Sequence, residues 1–154
     1  MTERRSHPGD THARTLAHVA VLAAIYFAVG RIALSLATHS GFVVGIWPAA
    51  GVAAAALLLG GLRLWPGVFL GSLLLNLMSA SEATLGPELP AALLVPCLIA
   101  TGATLQAVLA AWLVRRVAGF PFRVLRPGTL LLAVALAGPA ACLVSSTIAA
   151  VTLH

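Results

Sequence analysis

Arg31, Trp47, Asn76 and Gln106 are the side chains with which this sequence could do chemistry, and each stands in an otherwise apolar run. A guanidinium, an indole N–H and two carboxamides bind and orient partners; none is a proton-transfer group at neutral pH. Arg31 forms a stripe with Ser35 and with Thr38 or His39, at the i, i+4, i+7 spacing of one helix face. Asn76 heads a second stripe of the same spacing with Ser72 and Ser79. A buried amide must find partners, so Asn76 is expected to bond across helices. Gln106 shares a face with Gly102, while Thr101 and Thr104 point to neighbouring faces. The groupings that catalysis needs are missing: there is no Ser-His-acid set, no phosphate-binding glycine loop, and no carboxylate pair except Glu82 and Glu88 in a polar loop. No enzymatic activity is expected of this chain by itself. His7, His12 and His18 lack a fixed spacing and nearby carboxylates, so neither a metal site nor a cofactor is expected. Cys97 and Cys142 both fall in apolar runs and read as buried free thiols rather than a disulfide.

The elements that must hold these residues are set by composition. Of the 154 residues 60% are hydrophobic and 8% charged, and the mean hydropathy is +1.04. A soluble domain averages about 25% charged residues, so this is a membrane protein. The net charge of +5 comes with nine basic residues, all Arg. Their placement tracks membrane orientation rather than nucleic-acid binding, which is not expected. The first apolar run begins near Leu16 and continues to about Ala37 without a cleavage site, so it is a retained transmembrane helix rather than a signal peptide.

Residues 1–15 form a polar segment in which Asp10, Thr11 and His12 are placed to cap the first helix. The first span runs from Leu16 to about Thr38, enough to cross a hydrocarbon core of roughly 30 Å. Arg31 lies about 10 Å from its outer end. Two readings fit so costly a charge: it faces other helices or a wet cavity, or it snorkels to the interface. After the connector His39–Phe42, the second span covers Val43 to about Leu59. Trp47 and Pro48 fall in its first turns, where a missing N–H costs little. Gly51 and the Ala53–Ala56 run give it a small-residue face suited to close helix contact. Gly60-Gly61-Leu62-Arg63 makes a tight connector, and Trp65-Pro66-Gly67 opens the third span, about Leu64 to Ala80. Gly67-x-x-x-Gly71 on that span is a small-xxx-small motif. A fourth span, about Pro90 to Val114, has Pro96 near its start and ends on Trp112 and Arg115-Arg116. A fifth, about Thr129 to Leu153, carries Pro139 and the hydroxyl cluster Ser145-Ser146-Thr147. The fold class is therefore all-α and integral to the membrane, a polytopic bundle of about five transmembrane helices.

If the spans alternate, Arg4, Arg5, Arg14, Arg63, Arg115, Arg116, Arg123 and Arg126 fall on one side, opposite Glu82, Glu88 and His39. The positive-inside rule then makes the N-terminus cytoplasmic. Trp47 marks the outer interface, and Trp65 and Trp112 the inner one. Five spans from a cytoplasmic start leave His154 outside, directly after an apolar helix. Such an ending suggests a chain cut in mid-domain, and this sequence is expected to be the incomplete N-terminal part of something larger.

The stretch Ile46–Asn76 resembles the membrane-associated sensor family MASE1. That family's pattern is Trp-Pro-Pro-x-Gly, an aliphatic run, a Gly-Arg turn, Leu-Trp-Pro-Gly-x-Phe-Leu-Gly and a later Asn. Trp47, Pro48, Gly51, Gly60, Arg63, Leu64, Trp65, Pro66, Gly67, Phe69, Leu70, Gly71 and Asn76 match it. Ala103–Arg116 resembles the family's fourth helix and Ser145–Thr147 its fifth, and Arg31 stands where members often have a basic residue. The departures are Ala49 for the second Pro, Ala50 for a hydroxyl residue, and Gln106 for a common acid; if that acid is the charge partner of Arg31, the pairing is absent here. Members have roughly twice as many spans. The resemblance makes residues 16–154 a sensory input domain of the bacterial inner membrane. It implies linkage to a cytoplasmic histidine kinase, diguanylate cyclase or phosphodiesterase output, none of whose motifs occurs here, and a possible homodimer.

Its implied partners are the lipid bilayer and an unidentified small ligand or membrane stimulus. Candidate sensing or structural residues are Arg31, Trp47, Pro48, Gly51, Trp65, Pro66, Gly67, Gly71, Asn76 and Gln106. Two other classes compete with a sensor: a small-solute transporter or its membrane subunit, which also uses broken helices and midplane polar groups, and a purely structural scaffold. Solute uptake into proteoliposomes separates the first, and ligand-dependent helix movement the second.

Overall fold

In a computed structural model of the chain, residues 8–40, 47–82, 89–118 and 143 are described. Among them every element is helical: α1 (Pro8–Ser40), α2 (Pro48–Gly60), a 3₁₀ turn (Leu62–Leu64), α3 (Trp65–Glu82) and α4 (Leu89–Ala118). By length and composition His12–Leu36, Leu62–Ser79 and Leu93–Arg116 can each cross a membrane. The expected fifth span, with Pro139, Cys142 and Ser145–Thr147, lies outside the described residues, apart from Leu143.

The helix boundaries differ from expectation for identifiable reasons. α1 begins at Pro8, a residue pre-set for the first helical position, so Asp10, Thr11 and His12 lie inside the helix rather than capping it. It also runs on to Ser40, through half of the expected connector. α2 begins at Pro48, and Trp47 stands before it as the N-cap, extended at φ −98° and ψ 96°. The residue preceding a proline is pushed out of the helical region, so Trp47 cannot occupy the first turn. With 13 residues, α2 is about 20 Å long, short of the roughly 30 Å hydrocarbon core. Its other end is fixed by Gly61, whose φ of +99° is open to glycine and strained for other residues. The Gly61 N–H bonds Leu57 O at 3.1 Å, and Leu64 N–H bonds Gly61 O at 3.2 Å. Those two bonds turn the chain into α3.

α1 and α3 meet along the glycine face. A Cβ on Gly67 would come within 2.7 Å of Val19 O, and one on Gly71 within 2.8 Å of Ala23 O. One turn further on, Gly30 of α1 packs against the Leu75 side chain. Both helices advance together, so they run parallel, and the chain crosses back between them through α2. α4 packs against α3 and α2, and α2 against α1. The order around the bundle is thus α1, α3, α4, α2. Gly51, in contrast, is exposed, with nothing within 4 Å of an added Cβ. The buried face of α2 is Ala49, Ala53 and Leu57, so of the expected small-residue face Ala53 is buried while Gly51 and Ala55 are exposed.

What is inside and what is outside decides the solvent. The interior is built largely from small residues, among them Ala23, Ala33, Ala49, Ala53, Ala100, Ala107 and Ala111, while Leu16, Ile32, Leu36, Leu59, Leu74 and Leu94 are exposed. Leu59 is 76% exposed and Leu36 64%. Water would penalise such a surface and lipid would not. Close packing of small residues is how helices associate when both alternatives are apolar.

Candidate functional site

Between the four helices lies a cavity of about 320 Å³, lined by Tyr26, Trp47, Ala50, Ser72, Leu75, Asn76, Ile99, Ala103 and Gln106. Every helix contributes to it. α1 gives Tyr26, α2 gives Ala50 with its N-cap Trp47, α3 gives Ser72, Leu75 and Asn76, and α4 gives Ile99, Ala103 and Gln106. Leu75, Ile99, Ala50 and Ala103 make the apolar part of the wall; a phenol, an indole, a hydroxyl and two carboxamides make the polar part.

Those polar groups are wired together. The Tyr26 hydroxyl, on a side chain only 2% exposed, is in hydrogen-bonding contact with the side chains of Ser72 and Trp47. The Asn76 amide nitrogen donates to Ser72 O at 2.7 Å and to Ser72 Oγ at 3.4 Å. The Asn76 nitrogen therefore finds its partners within α3, not across helices as expected. A hydroxyl residue one turn earlier offers both a carbonyl and an oxygen at the right reach. Ser79 Oγ bonds Leu75 O, Thr101 Oγ1 bonds Cys97 O and Thr104 Oγ1 bonds Ala100 O, each within its own helix.

Of the sequence-derived candidates, the cavity brings together Trp47, Asn76 and Gln106. It does not include Arg31, which is partly buried on α1 and has an interaction of its own. Ser35, its stripe partner, is exposed and bonds Ile32 O at 2.8 Å. Trp47 is partly buried in the wall of the cavity rather than resting only at an interface. Trp65 is exposed and Pro66 partly buried at the start of α3, and Pro48 is exposed at the start of α2. Gly67 and Gly71 serve the α1–α3 contact, and Gly51 touches nothing across the bundle.

Two residues were missed. Tyr26 is the chain's single tyrosine, and a phenol in mid-span must find a partner; that was the available signal. Arg115 was read only as an orienting charge. Its guanidinium reaches from the end of α4 to the end of α2, donating from Nη2 to Leu57 O at 3.0 Å and Leu58 O at 2.7 Å. The last carbonyls of a helix have no intrahelical donors, and a cation there also meets the negative end of the helix dipole. Beside it Arg116 stands over the Trp112 ring at 5.5 Å from the centroid, in cation–π range. Arg63, Arg115 and Arg116 thus share one end of the bundle, at the opposite end of α2 from Trp47. Cys97 is a partly buried free thiol. Among the described residues no group of three or more His, Cys, Asp or Glu is placed to hold a metal ion.

Apolar helices, small-residue contacts and a lipid-facing exterior are the setting for the comparison with known families. The family model MASE1 matches residues 18–154. This chain belongs to the MASE1 family. MASE1 is a family of membrane-associated sensor domains, and the match covers all the helices that enclose the cavity. No curated protein and no solved structure matches the chain. The membrane location follows from the family and from the three membrane-capable helices.

Proposed function

We propose that this MASE1 domain is the input module of a signalling protein of the bacterial inner membrane, sensing a stimulus at the four-helix cavity. The observation that carries this reading is the cavity itself: one wall from each helix, with five hydrogen-bonding side chains in an otherwise apolar bundle. A stimulus can shift a conformational equilibrium only by favouring one arrangement over another. A site built from four helices is sensitive to how all four are arranged. α2 offers a route onward, because one end touches the cavity through Trp47 and Ala50 while the other is held by Arg115.

On this reading the chain has no catalytic activity of its own. It works with a cytoplasmic output domain, a histidine kinase or a cyclic-di-GMP enzyme, and as a dimer where the output requires one. The Arg-rich end of the bundle faces that domain, in keeping with the positive-inside rule. The test is the output of the full-length protein carrying Asn76→Ala together with Gln106→Ala. A several-fold change in basal or stimulated output is expected at unchanged membrane abundance. Output identical to that of the wild type at equal abundance would remove the cavity from the mechanism.

A further inference from the structure

The polar groups of the cavity also specify what it holds, and this inference rests on the sensory reading above. We infer that the cavity binds a small uncharged ring compound bearing a carbonyl, amide or hydroxyl oxygen, with that oxygen hydrogen-bonded to the polar wall that Tyr26, Ser72, Asn76 and Gln106 provide. Three properties of the wall lead there.

The first is charge. No side chain lining the cavity is acidic or basic at neutral pH, and Arg31 is not among them. An ion entering this low-dielectric space would lose its hydration without gaining a counter-ion, so the occupant is neutral.

The second is hydrogen-bonding capacity. An indole N–H only donates, while the side chains of Tyr26, Ser72, Asn76 and Gln106 each carry both donor and acceptor capacity. An oxygen-bearing substituent, whether it accepts or donates, meets a partner on this wall.

The third is size and shape. An apolar cavity of about 150 Å³ takes up benzene, so 320 Å³ has room for one ring with a polar substituent. Leu75, Ile99, Ala50 and Ala103 supply apolar surface for the ring, and Trp47 supplies an aromatic face.

The experiment uses the full chain in lipid nanodiscs, with saturation-transfer NMR and empty nanodiscs as the partition control. Benzamide and phenol are the uncharged probes; benzoate and benzylammonium are the charged ones. The uncharged probes are expected to bind saturably and to displace one another, with the charged probes at least tenfold weaker. Ala103→Phe fills the cavity and is expected to weaken benzamide at least tenfold; Ala50→Leu does the same from α2 should the first variant fail to fold. Tyr26→Phe, which keeps the ring and removes one hydrogen-bonding group from the wall, is expected to weaken benzamide about tenfold. Binding no greater than to empty nanodiscs, equal binding of benzoate, or unchanged binding in both filled variants would each overturn the inference. Failure of benzamide and phenol to bind, with Asn76 and Gln106 substitutions still altering output, leaves the sensory reading standing and this ligand class rejected. Binding as expected, with those substitutions silent in output, supports the site and removes its sensory role.

Discussion

Arg115 ties two helices together through a single side chain. It donates to Leu58 O and adds a second bond to Leu57 O beside that from the Gly61 N–H, and a hydrogen bond from a charged donor contributes about 1.5–3 kcal/mol. Arg115→Ala is therefore expected to lower the stability of the folded bundle by about 2–3 kcal/mol, and Arg115→Lys to restore part of it, both read from SDS-induced unfolding in mixed micelles. Equal stability of Arg115→Ala and wild type would show that the clamp is idle. At this scale the sequence was legible where a polar residue interrupted a periodic apolar face: Trp47, Asn76 and Gln106 were marked this way, and all three line the cavity. It was not legible where the partner was local or distant in a way that spacing does not encode. The Asn76 amide turned to Ser72 in its own helix. Arg115 found carbonyls 57 and 58 residues earlier, and a lone Tyr26 had no neighbour of its kind to form a pattern.

Helices α1, α3 and α4 were legible because an apolar run of 18 or more residues has few other ways to satisfy its backbone in lipid. Their ends were less so: Pro8 starts α1 earlier than the hydropathy change suggests, and Pro48 starts α2 later. α2 also shows why small residues alone do not mark a contact face. Gly67 and Gly71 lie against α1 backbone, whereas Gly51 faces open space, and only the arrangement of the other helices distinguishes them. The two cases predict opposite outcomes. Gly71→Ala forces a carbon against Ala23 O and is expected to destabilise the bundle by about 1–3 kcal/mol, the usual cost of overpacking. Gly51→Ala meets nothing and is expected to leave stability unchanged or to raise it by up to about 1 kcal/mol through helix propensity. SDS unfolding midpoints of the two variants provide the check. A Gly71→Ala protein as stable as Gly51→Ala would contradict the α1–α3 register.

For the molecule as a whole, the membrane-protein class and the MASE1 family rest on different properties of the same chain. Composition and the outward-facing leucines define the solvent; the residue pattern at Trp47–Asn76 and the match over 18–154 define the family. What no one-dimensional pattern contained is the closure of four helices around one cavity, because that depends on α1 and α3 running parallel with α2 and α4 beside them. The proposal at this scale is that the cavity controls the output of the signalling protein proposed above. Its most direct test is the output of that protein with the cavity filled by Ala103→Phe, compared with wild type and with Gly51→Ala at matched membrane abundance. Output is expected to be held at one level, at least threefold away from the wild-type basal value or unresponsive to stimulation, with Gly51→Ala behaving as wild type. Wild-type basal output and wild-type response in Ala103→Phe would contradict it.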